Sequence, residues 1–149
     1  MKREFCSTVY IFKENKVLLH LHQKFQKYLP PGGHFEKDET PEEAAIREVY
    51  EETGLTIDFI QQENLLIDFP HAKSIVRPYL CLLENIDRPL PHQHIDFIFL
   101  AKPINEKKPL EPFRYFSLEE IEDLEKQDKI FKDSLLVVKK VLEEELIKI

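Results

Sequence analysis

The chain has 149 residues, the size of one ordinary domain, so a single domain over residues 1–149 is expected. With 21 Lys and Arg against 28 Asp and Glu the net charge is −7, which argues against nucleic acid or an anionic membrane surface as the main partner. Only Cys6 and Cys81 are present, with neither a disulfide framework nor a zinc-type spacing, and no apolar run approaches membrane-spanning length; reduced thiols and a cytoplasmic location are expected.

Phe5 to Phe12 and Lys16 to His22 are apolar or β-branched runs separated by Lys13-Glu14-Asn15, the pattern of an opening β-hairpin. Gln23 to Tyr28 is polar and basic. Pro30-Pro31-Gly32-Gly33 then interrupts regular structure and frees the backbone for a sharp turn.

Thr40 opens a helix. A hydroxyl stands at the N-cap, Pro41 at the first helical position, and Glu43 three residues after the cap completes a capping box. Ala45, Ile46, Val49 and Tyr50 are expected to form the buried stripe, with Glu48, Glu51 and Glu52 on the other side and Gly54 as a left-handed C-cap.

Thr56 to Ile60, Leu65 to Phe69, Ile75 to Leu83 and Ile95 to Ala101 read as further strands, joined by loops at Asn85 to Pro91 and Lys102 to Pro112. Ser117 and Glu120 repeat the capping box before Leu118, Ile121 and Leu124. Phe131, Leu135, Val138, Leu142 and Leu146 mark a longer terminal helix. Because a hairpin begins the sheet, it cannot be simply parallel, and a mixed α/β fold follows.

Glu48, Glu51 and Glu52 carry the chemistry. At i, i+3 and i+4 they are neighbours on one helix face, and each close like-charge pair costs ~0.2–0.5 kcal/mol. A hard divalent cation, Mg²⁺ or Mn²⁺, offsets that repulsion through oxygen ligands, which it shares with water and substrate phosphates.

Gly33, five residues, Glu39, seven residues and then Arg47-Glu48-Val49-Tyr50-Glu51-Glu52-Thr53-Gly54-Leu55 resembles the Nudix box, with every defined position filled. The resemblance implies an α/β/α sandwich with a mixed sheet and helices on both faces. It also implies Mg²⁺-dependent hydrolysis (Mn²⁺ being possible) of a small-molecule diphosphate linked to another moiety, usually a nucleoside. Glu48, Glu51 and Glu52 would hold the metal, with a backbone carbonyl of Gly32 or Gly33, while Arg47 would orient Glu48 or pair with Glu39. Gly33, Glu39 and Gly54 would be scaffold. The general base would be Glu48 or Glu52 within the box or a residue on a later loop, with Glu111 the foremost later candidate, then Glu106 and Asp96. Monomer and homodimer both remain open. The alternative is a nucleotide-sensing module whose catalytic machinery has decayed, although no box carboxylate is missing here.

Outside the box, His20 and His22 alternate on one strand and would face the same side, near substrate or simply on a polar face. His92 and His94 also alternate with Asp96; an exposed loop and strand edge accounts for them without a ligand, and His94 is carried as a substrate-binding candidate. Arg77 could meet phosphate or ribose. His34 stands at a variable box position. Tyr28, Phe69, Tyr79, Phe97 and Phe99 read mainly as core aromatics.

Overall fold

The computed structural model describes residues 1–60 and 63–144; Leu146, expected on the terminal helical stripe, lies outside the described residues. Strands β1 (Arg3–Lys13) and β2 (Lys16–His22) form the expected hairpin, with Glu14 and Asn15 between them at φ 50° and 64°. Positive φ at both central turn positions matches the twist of the flanking strands. Next come β3 (Lys27–Leu29), β4 (Gly32–His34), α1 (Pro41–Thr53) and β5 (Ile57–Phe59). A short ribbon of β6 (Asp68–Phe69) and β7 (Ala72–Lys73) stands apart from the main sheet. After β8 (Leu80–Ile86), β9 (His92–Pro103) and β10 (Arg114–Phe116), the described chain finishes with α2 (Leu118–Lys126) and α3 (Lys132–Glu143).

The central strands are β1 and β9, paired in parallel from Arg3 opposite Gln93 to Ile11 opposite Ala101. The main sheet runs β10-β2-β1-β9-β5, with β3 on β2, β4 on the first half of β1 and β8 on the first half of β9. All these pairings other than β1 with β9 are antiparallel, so the sheet is mixed.

Alternation along the strands divides the core between the two faces. Val9, Ile11, Leu18 and Phe99 pack with Ala45 and Val49 of α1, whereas Tyr10, Phe12, Val17, Leu19, Ile98 and Leu100 pack with Ile121 and Leu124 of α2 and Leu135, Val138 and Val141 of α3. Each fully buried Val, Leu or Phe contributes ~1.5–3 kcal/mol of hydrophobic stabilisation, so each helical layer is anchored by several such groups. The result is a sandwich with helices on both faces.

Three expectations are corrected. The buried stripe of α1 is Ala44, Ala45, Val49 and Thr53, while Ile46 and Tyr50 are exposed. The helix is therefore rotated so that Glu48 and Glu52 border the buried face instead of lying opposite it. Pro30 to Gly33 does not wholly escape regular structure, because Gly32 and Gly33 pair with Thr8 and Ser7 as β4. A Cβ on Gly32 would stand 2.4 Å from the Ser7 carbonyl oxygen, so glycine permits this close strand approach. Finally, β9 begins at His92, which places His92 and His94 within a central strand; exposed loop does not describe them.

Candidate active site

The start of α1 is fixed as its residues dictate. Thr40 Oγ1 accepts the Glu43 N–H at 3.2 Å, and Glu43 Oε1 accepts the Thr40 N–H at 2.9 Å. At the other end Gly54 adopts φ 75° and its N–H donates to Tyr50 O at 2.9 Å, closing the helix with a left-handed cap. These fixed ends hold Arg47, Glu48, Glu51 and Glu52 in register over β4.

Arg47 is the hub. Its Nε and Nη2 donate to Glu39 Oε2 and Oε1 at 2.7 and 2.9 Å, a bidentate pairing suited to the planar guanidinium. Nη1 donates to Glu48 Oε1 at 2.9 Å and Glu51 Oε2 at 3.3 Å, and Nη2 also reaches His34 O at 3.0 Å. One side chain thus ties the loop before α1, the end of β4 and two box carboxylates together. Hydrogen bonding to Arg47 holds the Glu39 carboxyl below its ordinary value.

Glu48 and Glu52 lie side by side, one turn apart. Glu48 packs on Gly33 so closely that a Cβ there would fall 2.6 Å from Glu48 Cδ. Glu52 accepts the Gly32 N–H at 3.3 Å. Burial, reinforced by Glu48, raises Glu52 to about 8, so the proton is retained until a stronger positive charge replaces it. Glu51 is the most exposed of the three.

Glu52 opens into a cleft of about 750 Å³ between the sheet and the start of α3. The cleft floor carries Thr8 and Tyr10 of β1, Glu84 of β8 and Asp96 of β9. Thr8 Oγ1 lies 2.9 Å from both Asp96 oxygens, and Tyr10 Oη is 3.1 Å from Ser134 Oγ. Burial raises both Glu84 and Asp96; Asp96 raises Glu84 further, whereas hydrogen bonds from Glu84 and Thr8 work to lower Asp96, which describes a carboxyl pair holding a proton chiefly on Glu84. The strand expected over Ile75 to Leu83 runs instead from Leu80 to Ile86, so Glu84 lies on it, two residues beyond Leu82 and on the same face.

His20, His22 and His94 also line the cleft. His20 packs on the Phe113 ring at 4.2 Å between centroids, and burial pushes both His20 and His22 down, toward the neutral form. His22 Nδ1 is buried without a protein partner. Burial and the neighbouring His34 and His92 likewise lower His94. Arg77 is not brought there: its Nη2 meets Asn64 Oδ1 at 3.4 Å outside the cleft lining. Glu111 is exposed in the turn before β10, and Glu106 pairs with Lys13 at 3.3 Å; neither lines the cleft, whereas Asp96 does.

The comparisons agree with this architecture. The NUDIX domain family model matches residues 3–136. The chain belongs to the Nudix hydrolase family. A Nudix-family hydrolase structure from Clostridium perfringens superposes with a TM-score of 0.75 at 31% identity, covering 96% of this chain and 98% of that one. A probable DHNTP pyrophosphohydrolase of Lactococcus lactis is 31% identical over 78% of this chain and 64% of its own length. Mouse diphosphoinositol polyphosphate phosphohydrolase 3-alpha is 40% identical over 36% of this chain and 34% of its own. The chain thus spans about two thirds and one third of these two relatives. Among the described residues, no helix of this Nudix protein is long and apolar enough to cross a membrane.

Proposed function

We propose that this Nudix hydrolase cleaves a phosphoric anhydride bond in a nucleoside diphosphate-X type substrate, with Mg²⁺ as the cofactor and Mn²⁺ as its closest substitute. The observation that carries the reading is the placement of Glu48 and Glu52 together against Gly32 and Gly33 at the edge of the cleft. The residues fit a hard cation: the donors are carboxylate oxygens, the missing Cβ of Gly33 makes room for Glu48, and Glu52 retains a proton that a cation would replace. Glu48, Glu51 and Glu52 would hold it. Bound there, the cation supplies charge neutralisation and Lewis acidity toward the phosphates.

The protein's own groups do the rest. Glu52, the box carboxylate that lines the cleft, serves as the base toward the attacking water once its own proton has been displaced. Arg47 keeps Glu48 oriented and, through Glu39, fixes the loop that leads into the helix. The Glu84–Asp96 pair offers both a proton donor and acceptor oxygens to the edge of a nitrogen heterocycle, and neutral His20 and His22 present polar ring edges without charge. DHNTP, named for the Lactococcus relative, belongs on the substrate panel for that reason, beside nucleotide sugars and dinucleoside polyphosphates.

The test is phosphate or pyrophosphate release across this panel, scored by kcat/KM, with Mg²⁺ and with chelator. Metal-dependent release from at least one diphosphate is expected. Binding of these compounds without turnover would instead identify a sensing module on the same scaffold.

A further inference from the structure

Along the cleft, β1, β4 and β9 bring together side chains that the catalytic reading does not use. Cys6 lies opposite His34 across β1 and β4, and Glu4 lies opposite His94 across β1 and β9. Because residues at i and i+2 share a face, Glu4 and Cys6 of β1 and His92 and His94 of β9 are displayed on the same side of the sheet. Cys6, His34 and His94 offer ligand atoms that all lie within 4.8 Å of one another. His34 Nε2 is 3.2 Å from His94 Nε2, which is itself 3.2 Å from His92 Nε2, and His34 Nε2 is 3.2 Å from Glu4 Oε2.

No arrangement of protons on neutral imidazoles satisfies these contacts. His92 Nδ1 lies 2.7 Å from the Leu90 carbonyl oxygen, so Nδ1 carries the proton and Nε2 presents a lone pair toward His94. His94 Nε2 must then donate to His92, while His34 Nε2 must donate to the Glu4 carboxylate. Each Nε2 carries a single proton, so the His34–His94 contact is left without a hydrogen bond of its own. A single cation among the lone pairs removes the conflict. Four ligands arranged tetrahedrally at Zn–N distances of 2.0–2.1 Å stand about 3.3 Å apart, close to the 3.2 Å between the histidine nitrogens.

The surroundings support the same assignment. The Leu90 carbonyl orients His92 by accepting from its Nδ1–H, as backbone carbonyls do for ligating imidazoles. A thiol and imidazoles are softer donors than the oxygens of the box, and select a different ion.

We propose that Cys6, His34 and His94, with His92 and Glu4 at their flanks, form a binding site for a zinc-type divalent cation, separate from the carboxylate site on α1. Coordination displaces the Cys6 proton to solvent. The ion pins β4 to β1 and β9 next to Gly33, and because His34 O accepts from Arg47 Nη2, it stiffens the scaffold of the glutamate site. The inference is independent of hydrolysis and of the substrate.

The full chain is stripped with a chelator and reloaded with zinc alone, or with cobalt(II) alone, then challenged with excess Mg²⁺. One equivalent of zinc retained against Mg²⁺ is expected. The cobalt form should show a thiolate-to-metal absorption band that Cys6→Ser removes. His94→Ala should weaken zinc binding by more than about 100-fold, beyond the loss typical of an outer-sphere change, while Glu52→Gln leaves it intact. The exposed His34→Gln variant repeats the test should His94→Ala fail to fold. Zinc displaced by Mg²⁺, a cobalt spectrum without the thiolate band, or uptake lost in Glu52→Gln and retained in the histidine variants overturns the proposal.

Discussion

The two side-chain groups along the cleft, glutamates on α1 and histidines on the strands, differ in how they are assembled. The glutamate site draws its chemistry from a single helix, where Arg47, Glu48, Glu51 and Glu52 are within six positions of each other, and its donors are all oxygens. The histidine corner draws on β1, β4 and β9, residues up to 90 positions apart, and its donors are nitrogen, sulfur and one carboxylate. A helix imposes its own spacing and can be read from sequence; a corner made by three strands exists only once their registers are set. The contrast also separates two kinds of ion, hard and borderline, which a cleft with only one donor type could not tell apart.

The largest expected effect comes from breaking the glutamate site. Glu52→Gln keeps the shape of the side chain and should lower kcat by ~10²–10⁴-fold with the fold intact by circular dichroism, the range for losing a general base. Near-normal turnover would remove Glu52 from that role. Gly33→Ala follows: the new methyl would collide with Glu48 Cδ at 2.6 Å, and Mg²⁺ affinity measured by titration calorimetry should fall by ~10-fold or more. Arg47→Lys loses the bidentate grip on Glu39 and the fork that joins it to Glu48; a drop in kcat/KM of ~10–100-fold, the order seen when an outer partner of a metal ligand is removed, is expected.

A smaller effect probes the carboxyl pair on the cleft floor. Burial raises Glu84 to about 9, above its unfolded value, so folding takes up a proton. Its contribution to stability is complete below about pH 4.5 and is lost as pH rises toward 9. Urea titrations in chelator should show stability declining over this window, and Glu84→Gln should flatten the decline; equal slopes would place the proton elsewhere. Smallest of all, Glu111→Gln should change kcat less than about threefold, since Glu111 is outside the cleft lining and a base must come within hydrogen-bond reach.

The legible parts share one property, local spacing. The capping boxes at Thr40 and Ser117, the Gly54 cap and the opening hairpin all depend on neighbours in sequence, and each stands where its residues place it. The face of α1 was harder. Ile46 and Tyr50 are apolar enough to suggest burial, but the sheet receives Ala44 and Ala45, whose small side chains let the helix approach closely, so Glu48 and Glu52 border the buried face and Glu52 lines the cleft. The partners of Asp96 were beyond reach for another reason. Thr8 and Glu84 meet it only through the registers of β1, β8 and β9, which no short spacing encodes.

The parallel pairing of β1 with β9 joins the third residue to the ninety-third. A ribosome releases β1 long before β9 exists, so the nascent chain carries a long apolar strand whose central partner is still unsynthesised. Closing so distant a pair is slow compared with forming α1, and the waiting strand is an edge open to association with other chains. The histidine corner rests on that pairing, so a zinc-type ion cannot help assemble its own site until the second central strand has arrived, whereas the glutamates need only α1, β1 and β4.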